Sequence, residues 1–305
     1  MPIDSVKVII NGATTTLTDN GNGTYSATLA APNVTSYNVN SGHYYPVTVV
    51  ATNAAGTSTT ASDAHATLGT YLRLKVKEIT APTITISAPT AGQYLATARP
   101  SVKIRLVDES NGSGVAISTL SVKVDSTTYT NTSNGVTVSS ITNGYDVTLV
   151  PPSALSEGSH TVTVSVTDND GNTATTKSVS FTTDTVAPTL SVTNPSANSS
   201  YTANSSMSVT GTVSDSTSGT PSVRITLNGT DVGAVTVSNG TFTKGIVLAH
   251  GSNTIVITAT DLAGKVTTIT RTVTLDTSAP IIAAVNITPN PVNVGSNYTI
   301  TITVE

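Results

Sequence analysis

The side chains in this sequence whose type and placement could do chemistry are carboxylates. Glu78, Asp108, Asp168, Asp170, Asp184, Asp215 and Asp261 each stand at the end of an apolar-alternating segment or in the loop that follows one. Calcium is a hard cation that takes six to eight oxygens, several of them from carboxylates. The chemistry these residues offer is therefore calcium binding. Asp at a strand end also caps its own turn by accepting from nearby backbone N–H groups, so a turn-forming role stands beside the ligand role.

Other constellations are poor. His43, His65, His160 and His250 are scattered along the chain at spacings that suit no metal motif, and solvated or turn-capping roles are expected for them. No Gly-x-Ser-x-Gly elbow occurs and no carboxylate pair stands beside a His, so nucleophilic and glycosidase chemistry have nothing to rest on. The expectation is a protein that is not an enzyme and requires no cofactor, calcium aside. There is no Cys, which excludes disulfides and thiolate metal sites. Asn-x-Ser/Thr triplets are expected by chance in a chain this rich in Ser and Thr. Tyr37, Tyr44 and Tyr45, with His43, form the one aromatic cluster, in and after a Gly- and Asn-rich loop at 32–42. Exposed aromatics beside polar loops can stack on sugar rings or meet a protein partner.

The elements that must position these groups are strands. With two Phe and no Trp, a core has to be built from Val, Ile, Leu and Ala, and that mixture with abundant Thr favours strands over helices. Period-two runs bounded by Gly, Asn, Asp, Ser or Pro recur throughout, and turns about ten residues apart point to a sandwich with Greek-key connections. Residues 81–183 supply seven strands, at 83–87, 101–108, 120–125, 136–139, 145–150, 160–168 and 173–182. Residues 187–275 repeat the scheme at 189–193, 206–215, 222–228, 234–237, 241–248, 254–261 and 265–275. The junction Asp184-Thr185-Val186-Ala187-Pro188 returns as Asp276-Thr277-Ser278-Ala279-Pro280, with a weaker copy at Glu78-Ile79-Thr80-Ala81-Pro82. A hairpin repeats as well: Val166-Thr167-Asp168-Asn169-Asp170-Gly171 matches Thr258-Ala259-Thr260-Asp261-Leu262-Ala263-Gly264.

With these junction and hairpin motifs the chain resembles, over nearly its whole length, the bacterial immunoglobulin-like domains that form stalks of surface adhesins and that decorate phage tails, baseplates and capsids. The resemblance implies an all-β protein: tandem immunoglobulin-like β-sandwiches in an elongated string, with an incomplete module at each end. The expected division is an N-terminal module at 1–80, full domains at 81–185 and 186–278, and a C-terminal half module at 279–305. In such a sandwich the B-to-C and F-to-G loops lie at the pole where strand A enters. That gathers Glu78, Asp108, Glu109, Asp168 and Asp170 at one junction and Asp184, Asp215 and Asp261 at the next, and the resemblance implies interdomain calcium there. It also offers Tyr44 or Tyr45 a different role, as a tyrosine corner at the start of strand F.

The ends do not fit a whole module. Residues 5–12 match 222–229, the third strand of the complete repeat, so the first module is expected to begin at strand C and to lack A and B. At the other end Ile282, Val285, Ile287, Tyr298, Ile300, Ile302 and Val304 belong to a hairpin that cannot bury its apolar face alone. Two explanations stay open: ragged boundaries, with 71–77 as an extra strand completing the first module, or assembly across chains through that hairpin.

Charged residues are 10% of the chain and the net charge is −4, with no basic run to follow a phosphate backbone, so nucleic acid is not an expected partner. No apolar stretch approaches the roughly 18 residues of a membrane span, and residues 1–7 do not read as a signal peptide. The function expected is a non-enzymatic structural or assembly protein of a phage virion. Its partners would be other virion proteins or copies of itself, and it could contribute to attachment to a host-surface glycan or protein. The alternatives are an extracellular stalk segment of a bacterial surface adhesin and a carbohydrate-binding module using Tyr37, Tyr44 and Tyr45.

Overall fold

The computed structural model describes residues 2–305, which divide into two compact units, 2–184 and 185–305. Nearly all regular structure is β. Alternation in sequence becomes alternation in burial, as in Val102–Val107, where Val102, Ile104 and Leu106 are buried while Lys103 and Arg105 face solvent.

The first unit opens with β1 (Ile3–Ile10), β2 (Ala13–Thr16), β3 (Thr18–Asp19), β4 (Tyr25–Ser26), β5 (Tyr45–Asn53), β6 (Ser58–Ala61) and β7 (Arg73–Leu74). These form one antiparallel sheet in the order β2-β1-β5-β6, with β7 also on β5, and a separate two-residue pair β3–β4. The extra strand expected at 71–77 is only the two residues of β7. Its neighbours Gly69–Tyr71 form a 3-10 turn, and Ser36 holds Val76 by accepting from its N–H and donating to its carbonyl.

The same unit continues with β8 (Thr83–Ala88), β9 (Tyr94–Leu95), β10 (Val102–Val107), β11 (Ser121–Val124), β12 (Thr127–Tyr129), β13 (Val136–Ile141), β14 (Gly144–Leu149), β15 (Gly158–Ser165) and β16 (Lys177–Thr183). Two sheets face each other, β13-β14-β10-β8 and β12-β11-β15-β16-β9. Ile84, Ile104, Leu106 and Val147 from one sheet share a core with Val122, Val162, Val164 and Phe181 from the other. Each such side chain contributes about 1.5–3 kcal/mol on burial.

The second unit repeats the topology with β17 (Thr189–Asn194), β18 (Ser199–Thr202), β19 (Ser206–Ser214), β20 (Ser222–Leu227), β21 (Thr230–Asp231), β22 (Val237–Ser238), β23 (Thr241–Val247), β24 (Gly251–Thr260) and β25 (Val266–Leu275). Its sheets are β17-β19-β23-β22 and β18-β25-β24-β20-β21. The short strands β9 and β18 run parallel to β16 and β25, so the first strand of each module splits between the two sheets. These two splitting strands were not expected from the sequence, because two to four residues carry no measurable period. The unit ends with β26 (Ile282–Thr288) and β27 (Thr299–Val304), an isolated antiparallel hairpin.

Register fixes the pole that matters. Val107 at the end of β10 lies opposite Thr83 at the start of β8, and Ser121 at the start of β11 lies opposite Ser165 at the end of β15. The segment entering β8, the β10–β11 loop and the β15–β16 loop therefore meet at one end of the sandwich.

Candidate metal centre

At that pole the entering segment supplies Glu78, the β10–β11 loop Asp108 and the β15–β16 loop Asp168. One carboxylate oxygen from each lies within 4.8 Å of the others. Asp108 is 3% exposed and Asp168 2%.

Backbone amides hold one side of each carboxylate. Gly114 N–H donates to Asp108 Oδ2 at 2.7 Å, and Ser113 N–H donates to Glu78 Oε1. Gly171 and Asn172 N–H donate to Asp168 Oδ1 at 2.6 and 2.8 Å, while Asn172 Nδ2 donates to Oδ2 at 2.7 Å. The opposite oxygens Glu78 Oε2, Asp108 Oδ1 and Glu109 Oε2 are buried and accept no hydrogen bond. In Glu78 and Asp108 an amide-bonded oxygen and an unsatisfied, inward one thus coexist in the same carboxylate, whereas both oxygens of Asp168 accept hydrogen bonds.

Burial pushes the Asp108 carboxyl above the ordinary carboxylate range, the Gly114 N–H pulls the other way, and Glu78 and Asp168 add like-charge repulsion. Glu78 is also raised, first by burial and then by the neighbouring Glu109 carboxyl. No Lys or Arg side chain is among these partners: the nearby Lys77 Nζ donates to the Asp170 backbone carbonyl at 2.9 Å. Buried carboxylates without a countercharge must hold a proton or a cation.

Gly112 lines the cage. A Cβ on it would lie 2.6 Å from Asp108 Oδ2 and 2.9 Å from Glu78 Oε2, so this position must stay bare for the carboxylates to converge. The sequence signal was the run Gly112-Ser113-Gly114 directly after Asp108-Glu109, which sequence reasoning passed over. Asp170 stands aside from the trio: its carboxylate accepts from Thr35 Oγ1 and from Glu78 N–H, so it ties the entering segment and the first sheet's loop to the β15–β16 turn.

The other carboxylates are placed as follows. Asp184 is buried at the end of the first unit, its N–H donating to Leu95 O at 2.9 Å. In the second unit Asp215 Oδ1 accepts from Thr217 and Ser218 N–H, and Asp261 Oδ1 accepts from Lys265 N–H, leaving the buried Asp261 Oδ2 without a donor.

The aromatic cluster separates into distinct roles. Tyr45 begins β5, is 4% exposed and donates its hydroxyl to Val34 O at 3.1 Å, the geometry of a tyrosine corner. Tyr44 is half-buried, donates to Asp63 Oδ2 at 3.0 Å and carries the Arg73 guanidinium 4.8 Å over its ring. Tyr37 stacks on His43 with ring centroids 4.1 Å apart. One histidine departs from expectation. His160 is buried rather than solvated, because it sits within β15, with Nδ1 2.7 Å from Asp125 Oδ2 and Nε2 2.9 Å from Ser156 O.

Residues 108–185 match the family model of a bacterial Ig-like domain, and residues 188–277 match that of glucodextranase domain B. No curated protein is matched by the sequence. Among solved structures, the fibronectin(III)-like modules of Clostridium thermocellum CbhA are 16% identical at a TM-score of 0.40, over 63% of this chain and 94% of that one. A structure concerning host cell surface retention of a 1.5-MDa bacterial ice-binding adhesin is 22% identical at 0.32, over 89% of this chain and 86% of that one. The Bacteroides ovatus protein SGBP-B, solved with a mixed-linkage heptasaccharide, is 17% identical at 0.23, over 93% and 62%. Sheet topology and family models agree: the chain carries tandem immunoglobulin-like domains of the bacterial kind.

Proposed function

We propose that the protein is a non-enzymatic structural spacer exposed on a biological surface, that of a bacterial cell or a phage virion, and that calcium stiffens it where its modules meet. The observation that carries this is the cage of Glu78, Asp108 and Asp168. It draws its three carboxylates from three separate segments, and the inward oxygens of Glu78 and Asp108 accept no protein hydrogen bond. An ion held there would tie the segment leaving the first sheet to two loops of the next sandwich, turning a hinge into a rigid joint. Immunoglobulin-like modules are typically non-catalytic. Among the described residues no helix is long and apolar enough to cross a membrane.

Immunogold labelling of intact producing cells and of the particles they release tests the exposed location. Label on the outer face of either supports the proposal, and labelling that needs permeabilised cells overturns it. Calcium is tested separately by isothermal titration with the metal alone: binding that Asp108→Asn abolishes is expected, and heat unchanged by the substitution would count against the cage.

A further inference from the structure

We infer that the notch beside the Tyr37–His43 stack binds a sugar carrying one carboxylate, a uronic acid, so that the protein holds an anionic glycan as well as spacing a surface. The notch has a volume of about 160 Å³ and lies wholly within the first unit, between the loop ahead of β5, the segment after β7 and the β15–β16 turn. Sites for drug-sized ligands run to about 300–1,000 Å³, so this one takes a single ring.

The loop that builds it is held in a costly conformation. His43 has a φ of 58°, in the left-handed region that a residue with a Cβ avoids. A glycine would sit there freely, yet the position carries an imidazole. Around it Ser36 Oγ donates to His43 O at 2.9 Å, His43 N–H to Asn40 O at 3.0 Å and Asn40 Nδ2 to Tyr44 O at 2.8 Å. These bonds fix the backbone without using the ring. The ring lies parallel to that of Tyr37, with 7° between planes and 4.1 Å between centroids. Its Nδ1 donates to Tyr37 O at 2.5 Å, and Nε2 has no protein partner among the described residues. Backbone strain that the surroundings over-determine collects at ligand sites. Here it secures an exposed platform, His43 backed by Tyr37, on which the C–H face of a pyranose can stack.

The walls supply charge and polar partners. Lys75 and Lys77 line the notch and are exposed. Lys75 enters no salt bridge among the described residues, and Lys77 Nζ donates to the Asp170 backbone carbonyl. The two ammonium groups outnumber the one carboxylate on the notch, Asp170, whose Oδ2 is already engaged by Thr35 Oγ1 and Glu78 N–H. The surplus positive charge calls for a carboxylate on the ligand. Asn169 donates Nδ2 to Ser113 O and Gly114 O at 2.8 Å each, and its Oδ1 remains an acceptor. A ring with hydroxyls pairs with Asn169 Oδ1 and His43 Nε2, whereas a bare aromatic acid would leave both unpaired.

Saturation-transfer NMR of the full chain with methyl β-D-glucuronide tests this. Transfer to the sugar ring protons is expected. Methyl β-D-glucoside, which lacks the carboxylate, should bind about fivefold more weakly, and Lys75→Met should weaken the glucuronide by about the same factor, the upper end for an exposed charge pair. His43→Gly should abolish transfer while melting like the wild type, because relief of the φ strain offsets the stacking and hydrogen bond it loses. Absence of transfer from the wild type, equal binding of the neutral glucoside, displacement of the glucuronide by an equal concentration of inorganic phosphate, or glucuronide binding that survives both substitutions would each overturn the proposal.

Discussion

The carboxylate cage makes a quantitative prediction about calcium, pH and Asp108. Two ionised carboxylates 4.8 Å apart repel by ~3.5 kcal/mol at an effective dielectric of about 20. Without metal, the folded protein relieves this by holding protons on Asp108 and Glu78 more tightly than the unfolded chain does, since both are raised. The stability they contribute is therefore fully present below the ordinary carboxylate pKa of about 4 and is lost as pH rises through the raised values. Calcium removes the repulsion where it is greatest. At a concentration about 100 times its dissociation constant it stabilises by ~2.7 kcal/mol, which for a unit of this size raises Tm by about 5–10 °C. Differential scanning calorimetry at pH 7 and pH 4, with calcium or chelator, measures both effects. Calcium should raise Tm at pH 7 and have little effect at pH 4. Asp108→Asn in chelator at pH 7 should melt at or above the wild type, because it removes one charge while its side-chain oxygen still accepts from Gly114 N–H, and it should no longer respond to calcium. A wild-type Tm indifferent to calcium at pH 7, or an Asp108→Asn variant that melts several degrees lower in chelator, would refute the reasoning.

Three further outcomes follow from the packing. Phe181→Ala removes a 1% exposed aromatic from the core of the β8–β16 sandwich and should cost about 3–5 kcal/mol in urea unfolding. Tyr45→Phe deletes the hydroxyl that donates to Val34 O and should cost about 1 kcal/mol, with circular dichroism unchanged. Asp125→Asn weakens the partner of buried His160. Burial raises Asp125, but the hydrogen bonds from His160 and Thr161 N–H bring it below the ordinary range, so the stability it adds is present above pH ~4 and lost as pH falls through its lowered value. The wild type should therefore lose more stability than the variant between pH 5 and pH ~2 in acid titrations followed by fluorescence-free circular dichroism.

Much of the fold was legible because a strand buried on one face writes its period into the sequence. Val102, Ile104 and Leu106 alternate with Lys103 and Arg105, and the two sandwiches repeat nearly strand for strand. Residues without a period were not legible. β9 and β18 are too short to show one, and 71–77 alternates yet pairs over only two residues, because Ser36 draws the chain away at Val76. His160 likewise looked like a polar residue at a strand end until Asp125, distant in sequence, arrived beside its ring.

The sequence by itself determined the β class, the repeated junctions and the identity of the acidic residues, because these depend on local alternation and turn chemistry. Only the tertiary structure decided how those acids stand. Convergence requires Val107 to meet Thr83 and Ser121 to meet Ser165 across strands, and it is this long-range register that brings Glu78, Asp108 and Asp168 within 4.8 Å while turning Asp170 aside to Thr35. The same register buries the inward oxygens of Glu78 and Asp108 away from water and from any cationic side chain, which is what turns a set of turn-capping acids into a candidate cation site.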